Sequence, residues 1–331
     1  MTSPFAPVQS FTPFPAAAGA RILSFGGYQP GNVVTNDDLA AQVDTNDEWI
    51  RSRVGIASRR IAGPDETVAD MAVAAGGKAL AASGLSAGDI DLVIVATCTP
   101  EVQIPNVAAT VAKRLGIVAP GAYDLNAACA GFCYALANAA DAVRTGTARN
   151  ALVIGAEKLS QWVDWTDRST CIIFADGAGA AVVSPVSDPA EAGIGPVVWG
   201  SAGDMADKIY IPDRNGFIIQ EGQAVFRWAT TALHPVAKKA CERAGVDPTE
   251  LAAFVPHQAN LRIVEAIARK LGAPQALVAD DIVTAGNTSS ASIPLALARM
   301  LERGEIPSGA PVLLLGFGAG ICYAGQVIKV P

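Results

Sequence analysis

An internal repeat constrains this 331-residue chain more than any other feature. Apolar periodicity and glycine punctuation predict, in the first half, a helix over 66–84, a strand over 90–96, a helix over 106–116, a strand over 123–127, a helix over 129–146 and a strand over 151–156. The second half predicts the same order: a helix over 222–245, a strand over 251–256, a helix over 260–272, a strand over 282–285, a helix over 288–304 and a strand over 312–317. Two offsets connect the halves. Gly84 and Gly245 are 161 residues apart, as are Gly155 and Gly316, and on that offset His257 aligns with Ala96. Cys129 and Asn287 are 158 apart, as are Gly146 and Gly304 at the ends of the helices they open. The second spacing sets a thiol and a carboxamide at matching helix starts, which predicts one site assembled from two halves.

Alternating strands and helices imply an α/β fold with mostly parallel sheets and right-handed crossovers. Pro, Gly and Asp cluster over 185–195, which divides an N-terminal half, 21–188, from a C-terminal half, 189–331. Residues 1–20 are rich in Pro, Phe and Ala and read as a mobile arm, without the basic start and apolar run of a signal peptide. The 51% hydrophobic content suits strands buried on both faces and excludes disorder. A net charge of -7 argues against a nucleic-acid partner. No apolar run is long enough to span a bilayer, so no membrane role is expected. Cys98, Cys129, Cys133, Cys171, Cys241 and Cys322 show no paired metal spacing, which predicts free thiols in a reducing, cytoplasmic setting and no metal site.

Three residues fall where α/β sheets place ligands, at strand ends and the helix starts that follow. Cys129 sits where the helix dipole and free backbone N–H groups lower a thiol pKa and make a nucleophile. The bland alternative is an inert core thiol, although Ala128, Ala130 and Gly131 leave space around this one. His257 follows the apolar strand over 251–256. It reads as a buried, hydrogen-bonded histidine or as a neutral imidazole aimed at a developing oxyanion. Asn287 alone would be a helix cap, and its match to Cys129 is what raises it. A thiol with two neutral donors suits a defined chemistry. The thiol takes an acyl group from a thioester, and the donors stabilise the enolate formed when a malonyl thioester loses carbon dioxide. A donor engaged only in the transition state is worth roughly 3 kcal/mol. Cys133, one turn beyond Cys129, reads as core, because i,i+4 is poor disulfide geometry.

Asp124-Leu-Asn-Ala-Ala-Cys-Ala-Gly-Phe132, His257-Gln-Ala-Asn-Leu-Arg262 and Gly286-Asn-Thr-Ser-Ser-Ala-Ser292 together resemble the thiolase superfamily, and within it the 3-oxoacyl-acyl-carrier-protein synthase III family. The resemblance covers nearly all of 21–331. It implies a layered αβαβα architecture of two duplicated halves, a Cys129-His257-Asn287 catalytic set, a homodimer, and an acyl-coenzyme A substrate rather than a bound cofactor. Thr45-Asn-Asp-Glu-Trp-Ile-Arg-Ser-Arg-Val-Gly-Ile56 resembles the family's coenzyme A segment, which implies that Trp49 stacks on adenine and Arg53 meets phosphate. Arg168 is implied as the other adenine-side arginine. Planar aromatic and guanidinium groups suit an anionic nucleotide, whereas ordinary surface salt bridges are the alternative. Gln258, Arg262, Arg269 and Lys270 are implied to dock an acidic acyl carrier protein. The loop with Gly318 and Ala319 is implied to complete an oxyanion hole. Ile104 is implied to cap a partner subunit's acyl pocket, and Met205 to border the pantetheine tunnel.

The leading expectation is initiation of type II fatty-acid synthesis: acyl-coenzyme A primes Cys129, and malonyl-acyl carrier protein extends it to a 3-oxoacyl product. A specialised relative is the nearest competitor, starting a polyketide or joining two acyl chains head to head, with Glu101 as a base. A cysteine acyl transferase or thioesterase, and a redox or binding protein with a Cys129–Cys133 disulfide, are the remaining readings.

Overall fold

The structure, a computed structural model, describes residues 16–213 and 215–331. Most of the expected arm therefore lies outside the described residues. Its last part does not: the first strand, β1 (Gly19–Tyr28), already includes Gly19 and Ala20, and the N–H groups of Ala17 and Ala18 donate to Arg144 O and Val186 O.

The paired strands β2 (Val33–Thr35) and β3 (Ser58–Arg60) bracket α1 (Asn36–Ala40) and α2 (Asp47–Val54). Then come α3 (Val68–Ser83), β4 (Leu92–Ala96), α4 (Val107–Arg114), β5 (Gly121–Leu125), α5 (Gly131–Arg144), β6 (Ala151–Lys158) and β7 (Asp176–Val186). The second half begins with β8 (Val198–Ser201) and the short pair β9 (Ile209–Tyr210) and β10 (Ile219–Gln220). It continues through α6 (Gly222–Ala244), β11 (Ala253–Pro256), α7 (Leu261–Leu271), β12 (Leu277–Val278), α8 (Ile282–Ala285), α9 (Ser292–Glu302), β13 (Pro311–Gly318) and β14 (Cys322–Lys329). None of the described helices is long and apolar enough to cross a membrane. Local chemistry sets the ends. A capping box between Thr67 and Asp70 starts α3, and Gly84 ends it at φ +76. Gly245 ends α6 at φ +68, so these two glycines are equivalent caps.

One sheet has the order β1-β7-β6-β4-β5 and the other β12-β11-β13-β14-β8. Helices α3 and α4 cover the outer face of the first, and α6 and α7 that of the second. Between the sheets lie α5 and α9, where Phe132, Leu136, Ile293 and Leu297 pack against strand residues of both, such as Ile94 and Leu314. This is the expected five-layered α/β architecture. The sheets are mixed, as the family resemblance implies, but they are not mostly parallel. In each sheet two pairings are parallel and two antiparallel. The reason is that neither connection crosses over to the other end of the sheet: β14 follows β13 after the short turn 319–321, and the segment 159–175 brings β7 back beside the end of β6, where Asp176 pairs with Lys158.

In the parallel pairs at the centre of each sheet the register of the repeat is 161. Leu92 pairs with Ala151 in the first sheet, and their counterparts at that offset, Ala253 and Val312, pair in the second. The turns before the central helices, 128–130 and 289–291, obey the same offset, and both start with a positive φ: +46 at Ala128 and +49 at Ser289. The counterpart of Cys129 is therefore Ser290, and that of Asn287 is Asn126. Asn126 Oδ1 accepts from Ala128 N–H just as Asn287 Oδ1 accepts from Ser289 N–H. The 158 spacing that paired Cys129 with Asn287 is an accident of helix length: α5 has 14 residues and α9 has 11, so the glycines that follow drift by three. A second correction concerns 282–285, which is the helical turn α8, not a strand. The edge strand is β12, paired with β11.

Candidate active site

Each central turn packs on the other half's strand, and glycine is what lets it. A Cβ on Gly155 of β6 would stand 2.5 Å from Ser290 O. On Gly316 of β13 it would stand 3.0 Å from Ala130 Cα, and on Gly318 2.6 Å from Cys129 N. Such contacts are far inside normal packing distance. Exchange of turns brings Cys129 against the β13–β14 connection and Asn287 against the first half, where Asn287 N–H donates to Ile173 O and Ala175 N–H donates to Asn287 O.

Cys129 does not begin the α-helix itself but sits in the turn that leads into α5. Burial pushes its thiol up to about 12; hydrogen bonds from Ser289 and from the backbone N–H groups of Cys129 and Ala319 oppose this, and the Glu157 charge adds to it. The expected low thiol pKa is thus corrected. Helix-terminal donors are present, but desolvation outweighs them. Those donors place Ala319 N–H and Cys129 N–H around the sulfur, where an oxyanion on a bound acyl carbon would form.

His257 follows β11 and is buried. Its Nδ1 lies 2.7 Å from Ser292 Oγ, and its ring meets Phe317 edge-on at 5.2 Å. Burial lowers its pKa to about 3, so it is neutral at pH 7. Asn287 is buried too, and with Oδ1 engaged by Ser289 N–H its NH₂ group remains the donor. Cys129, His257 and Asn287 line one cavity of about 710 Å³, along with Cys98, Ser289, Phe317, Gly318 and Ala319.

The cavity reaches the surface between α2, α6 and α7, where Trp49, Arg53, Arg227 and Arg262 line it. Guanidiniums lie over the Trp49 ring at 5.5 Å for Arg53 and 4.7 Å for Arg168. Arg168 does not line the cavity; it donates to Asp44 O. Arg262 lies over Phe226 at 5.2 Å, Arg269 pairs with Glu265 at 3.7 Å, and Lys270 Nζ donates to Thr230 O. Gln258 departs from expectation. It is buried, and its side chain bonds Pro256 O, Ala279 O and Ile282 N–H, so it offers nothing to a carrier protein. Ile104 is 87% exposed and lies outside the cavity of its own chain. Met205 does not line the cavity either; Ile209 and Ile218 do. Sequence reasoning missed Arg227, Ser289, Ser292 and Glu157. Only Glu157 carried a signal, as a charge at the end of the apolar run 151–156.

A duplicated α/β fold that gathers thiol, imidazole and carboxamide on one cavity defines a thiolase-like acyl-transferring enzyme. Residues 123–203 match the family described as 3-Oxoacyl-[acyl-carrier-protein (ACP)] synthase III, and residues 241–330 match its C-terminal part. The chain is 58% identical over 313 residues, 95% of its length and 99% of the relative's, to Beta-ketoacyl-[acyl-carrier-protein] synthase III 4 of Streptomyces coelicolor. Among solved structures it resembles the priming beta-ketosynthase of the R1128 polyketide pathway, with TM-score 0.92, 44% identity and coverage of 96% and 98% of the two chains. It also resembles the 3-oxoacyl-[acyl-carrier-protein] synthase III of Aquifex aeolicus, with TM-score 0.90, 41% identity and coverage of 94% and 100%. The chain belongs to the 3-oxoacyl-[acyl-carrier-protein] synthase III family and is a condensing enzyme.

Proposed function

We infer that this enzyme initiates type II fatty-acid synthesis, joining an acyl-coenzyme A primer to malonyl-acyl carrier protein. The observation that carries the reading is one cavity lined by a nucleophile from one half and two neutral donors from the other. In the first step Cys129 Sγ attacks the primer thioester. The new oxyanion is held by the N–H groups of Cys129 and Ala319, and the thiol proton leaves with the coenzyme A sulfur. In the second step His257 and Asn287 hold the malonyl thioester oxygen. Carbon dioxide departs, the bond electrons form an enolate, and its carbon attacks the acyl-Cys129 carbonyl and expels the sulfur as a thiolate, which takes a proton from water to restore the thiol. A neutral His257 suits this step, because an imidazolium next to a malonyl carboxylate would stabilise the ground state. Thiol and neutral donors suffice for both steps, so we assign no cofactor.

Trp49, Arg53 and Arg168 form a stack that suits the adenine and phosphates of coenzyme A. Arg262, Arg269 and Lys270 offer the basic face for an acidic carrier protein. A homodimer is supported by β5, whose outer edge is unpaired among the described residues, with exposed Tyr123 on it and exposed Val118 and Ile104 in the loops beside it. In such a dimer Ile104 would reach the partner's acyl pocket. Six free cysteines suit a cytoplasmic setting.

Likeness to a priming ketosynthase keeps a polyketide starter role as the second reading. A head-to-head condensation gains less support, because the Glu101 carboxylate accepts from Val68 N–H and does not line the cavity. The test mixes purified enzyme with acetyl- and branched acyl-coenzyme A and malonyl-acyl carrier protein. We expect a 3-oxoacyl-carrier product and none from Cys129→Ala; free acid as the only product would contradict the reading.

A further inference from the structure

Gln258 follows His257 directly, and its side chain is buried. The hydrogen bonds of that side chain all go to backbone. Nε2 donates to Pro256 O at 2.8 Å and to Ala279 O at 3.2 Å, and Oε1 accepts from Ile282 N–H at 3.1 Å. Two carbonyls at one end and an N–H at the other admit a single orientation of the amide, with both of its donors engaged.

The three backbone groups belong to the segments that carry the two neutral donors of the cavity. Pro256 ends β11 and precedes His257. Ala279 follows β12 and is tied back to β11, its N–H donating to Phe254 O at 3.0 Å. Ile282 opens α8, and the first N–H groups of a helix have no partner within it. Helix α8 has only four residues, too few to stand without outside contacts. Its single turn closes with Gly286 N–H on Ile282 O at 3.1 Å, and Gly286, at φ +74, passes the chain to Asn287. The backbone of Gln258 adds a fourth tie: its N–H donates to Ser292 Oγ, the atom that lies against His257 Nδ1. One residue thus joins the strand end that presents His257 to the turn that presents Asn287. The N–H groups around the Cys129 sulfur belong instead to the 128–130 turn and the β13–β14 connection, to which the Gln258 side chain makes no hydrogen bond.

We propose that Gln258 is a positioning residue: it fixes the separation of His257 and Asn287, and so governs malonyl decarboxylation without acting on acyl transfer to Cys129. In decarboxylation the bond between the malonyl methylene and its carboxylate breaks, carbon dioxide leaves, and the electron pair passes into an enolate. The enolate oxygen needs both donors at hydrogen-bond distance at once. A pair held by one amide meets that demand with no rearrangement at the moment of reaction. Without the amide, His257 keeps its contact with Ser292, and Asn287 keeps its bonds to Ile173 O and Ala175 N–H. Each donor survives, and only their spacing relaxes. The inference rests on the function proposed above, and the two can fail separately.

The test uses the full-length enzyme and two single-turnover measurements. One is acyl transfer from acetyl- or branched acyl-coenzyme A to Cys129, read by quenched-flow mass spectrometry. The other is carbon dioxide release from malonyl-acyl carrier protein by enzyme already acylated. Gln258→Met keeps the length of the side chain and removes its hydrogen bonds. It should acylate at the parent's rate and release carbon dioxide about a hundredfold more slowly, the loss that accompanies a misplacement of about 1 Å. Gln258→Glu keeps the acceptor for Ile282 N–H, and between two carbonyls its carboxyl holds a proton for one of them, so its carbon dioxide release should fall between that variant and the parent. Should Gln258→Met fail to fold, Gln258→Glu carries the same comparison. Equal losses in both measurements, or none in either, would leave Gln258 a structural role alone and overturn the proposal. A parent enzyme that is never acylated, or that releases no carbon dioxide, would overturn the function itself and this inference with it.

Discussion

At the scale of single residues, Ser292 determines what His257 is able to do. Ser292 Oγ accepts from Gln258 N–H at 3.3 Å and lies 2.7 Å from His257 Nδ1, so its own proton is best placed on that nitrogen. Nε2 then carries the imidazole proton and acts as a donor in the cavity. Ser292→Ala should therefore slow decarboxylation of malonyl-carrier protein by about tenfold, the loss expected for one neutral hydrogen bond. It should leave the rate of acyl transfer to Cys129 nearly unchanged; stopped-flow priming and carbon dioxide release measure the two separately. The buried imidazole also has a consequence for stability. Its folded pKa, about 3, lies below the usual 6.5, so between those values the unfolded chain binds the extra proton. Stability from this residue is complete above pH 6.5 and is lost as pH falls toward 3. His257→Gln removes that term, so its melting temperature relative to the parent should rise as the pH drops from 7 to 4.5. A constant difference across that range would contradict the burial argument.

Elements show which parts of the sequence could be read and which could not. Helix ends were legible because Thr67, Asn260, Gly84 and Gly245 act within one turn of chain. Cys129, His257 and the glycine pair Gly155 and Gly316 were legible because strand ends recur at a fixed offset. Asn287 was found through a false equivalence, since only the strand registers reveal that 161, not 158, relates the halves. Residues 282–285 occupy the repeat position of β5, yet the preceding Asp281 binds Arg299 and its carbonyl accepts from Thr284 and Ala285 N–H, which starts a helical turn. Gln258 is buried between distant segments, of which one-dimensional pattern carries no trace, and Glu157 shows in the sequence only as a charge at the end of an apolar run. Gly155→Ala would force a Cβ against Ser290 O, backbone that cannot swing aside. We expect a loss of about 1–3 kcal/mol in denaturant melts, the usual range for overpacking, together with reduced condensation because the Asn287 turn is displaced. Gly84→Ala meets open space, so only the φ cost should appear there, about 1 kcal/mol, with activity intact.

The whole molecule depends on two halves that exchange turns, and on surfaces that a second copy and a carrier protein would use. Because the chain is acidic overall, its basic face on α7 should matter mainly through long-range attraction. Arg262→Glu should raise the KM for malonyl-acyl carrier protein at low salt, and the difference from the parent should shrink as ionic strength rises. A KM unaltered at low salt would remove that face from carrier docking. The central claim is that Cys129 carries the acyl group while His257 and Asn287 serve only the step that follows. Its most direct measurement is quenched-flow intact-mass analysis of the enzyme mixed with acyl-coenzyme A and then with malonyl-acyl carrier protein. We predict an acyl adduct on Cys129 in the parent that vanishes on the second addition, and the same adduct persisting in His257→Ala and Asn287→Ala. An adduct on any other residue, or its prompt consumption in both variants, would contradict the account.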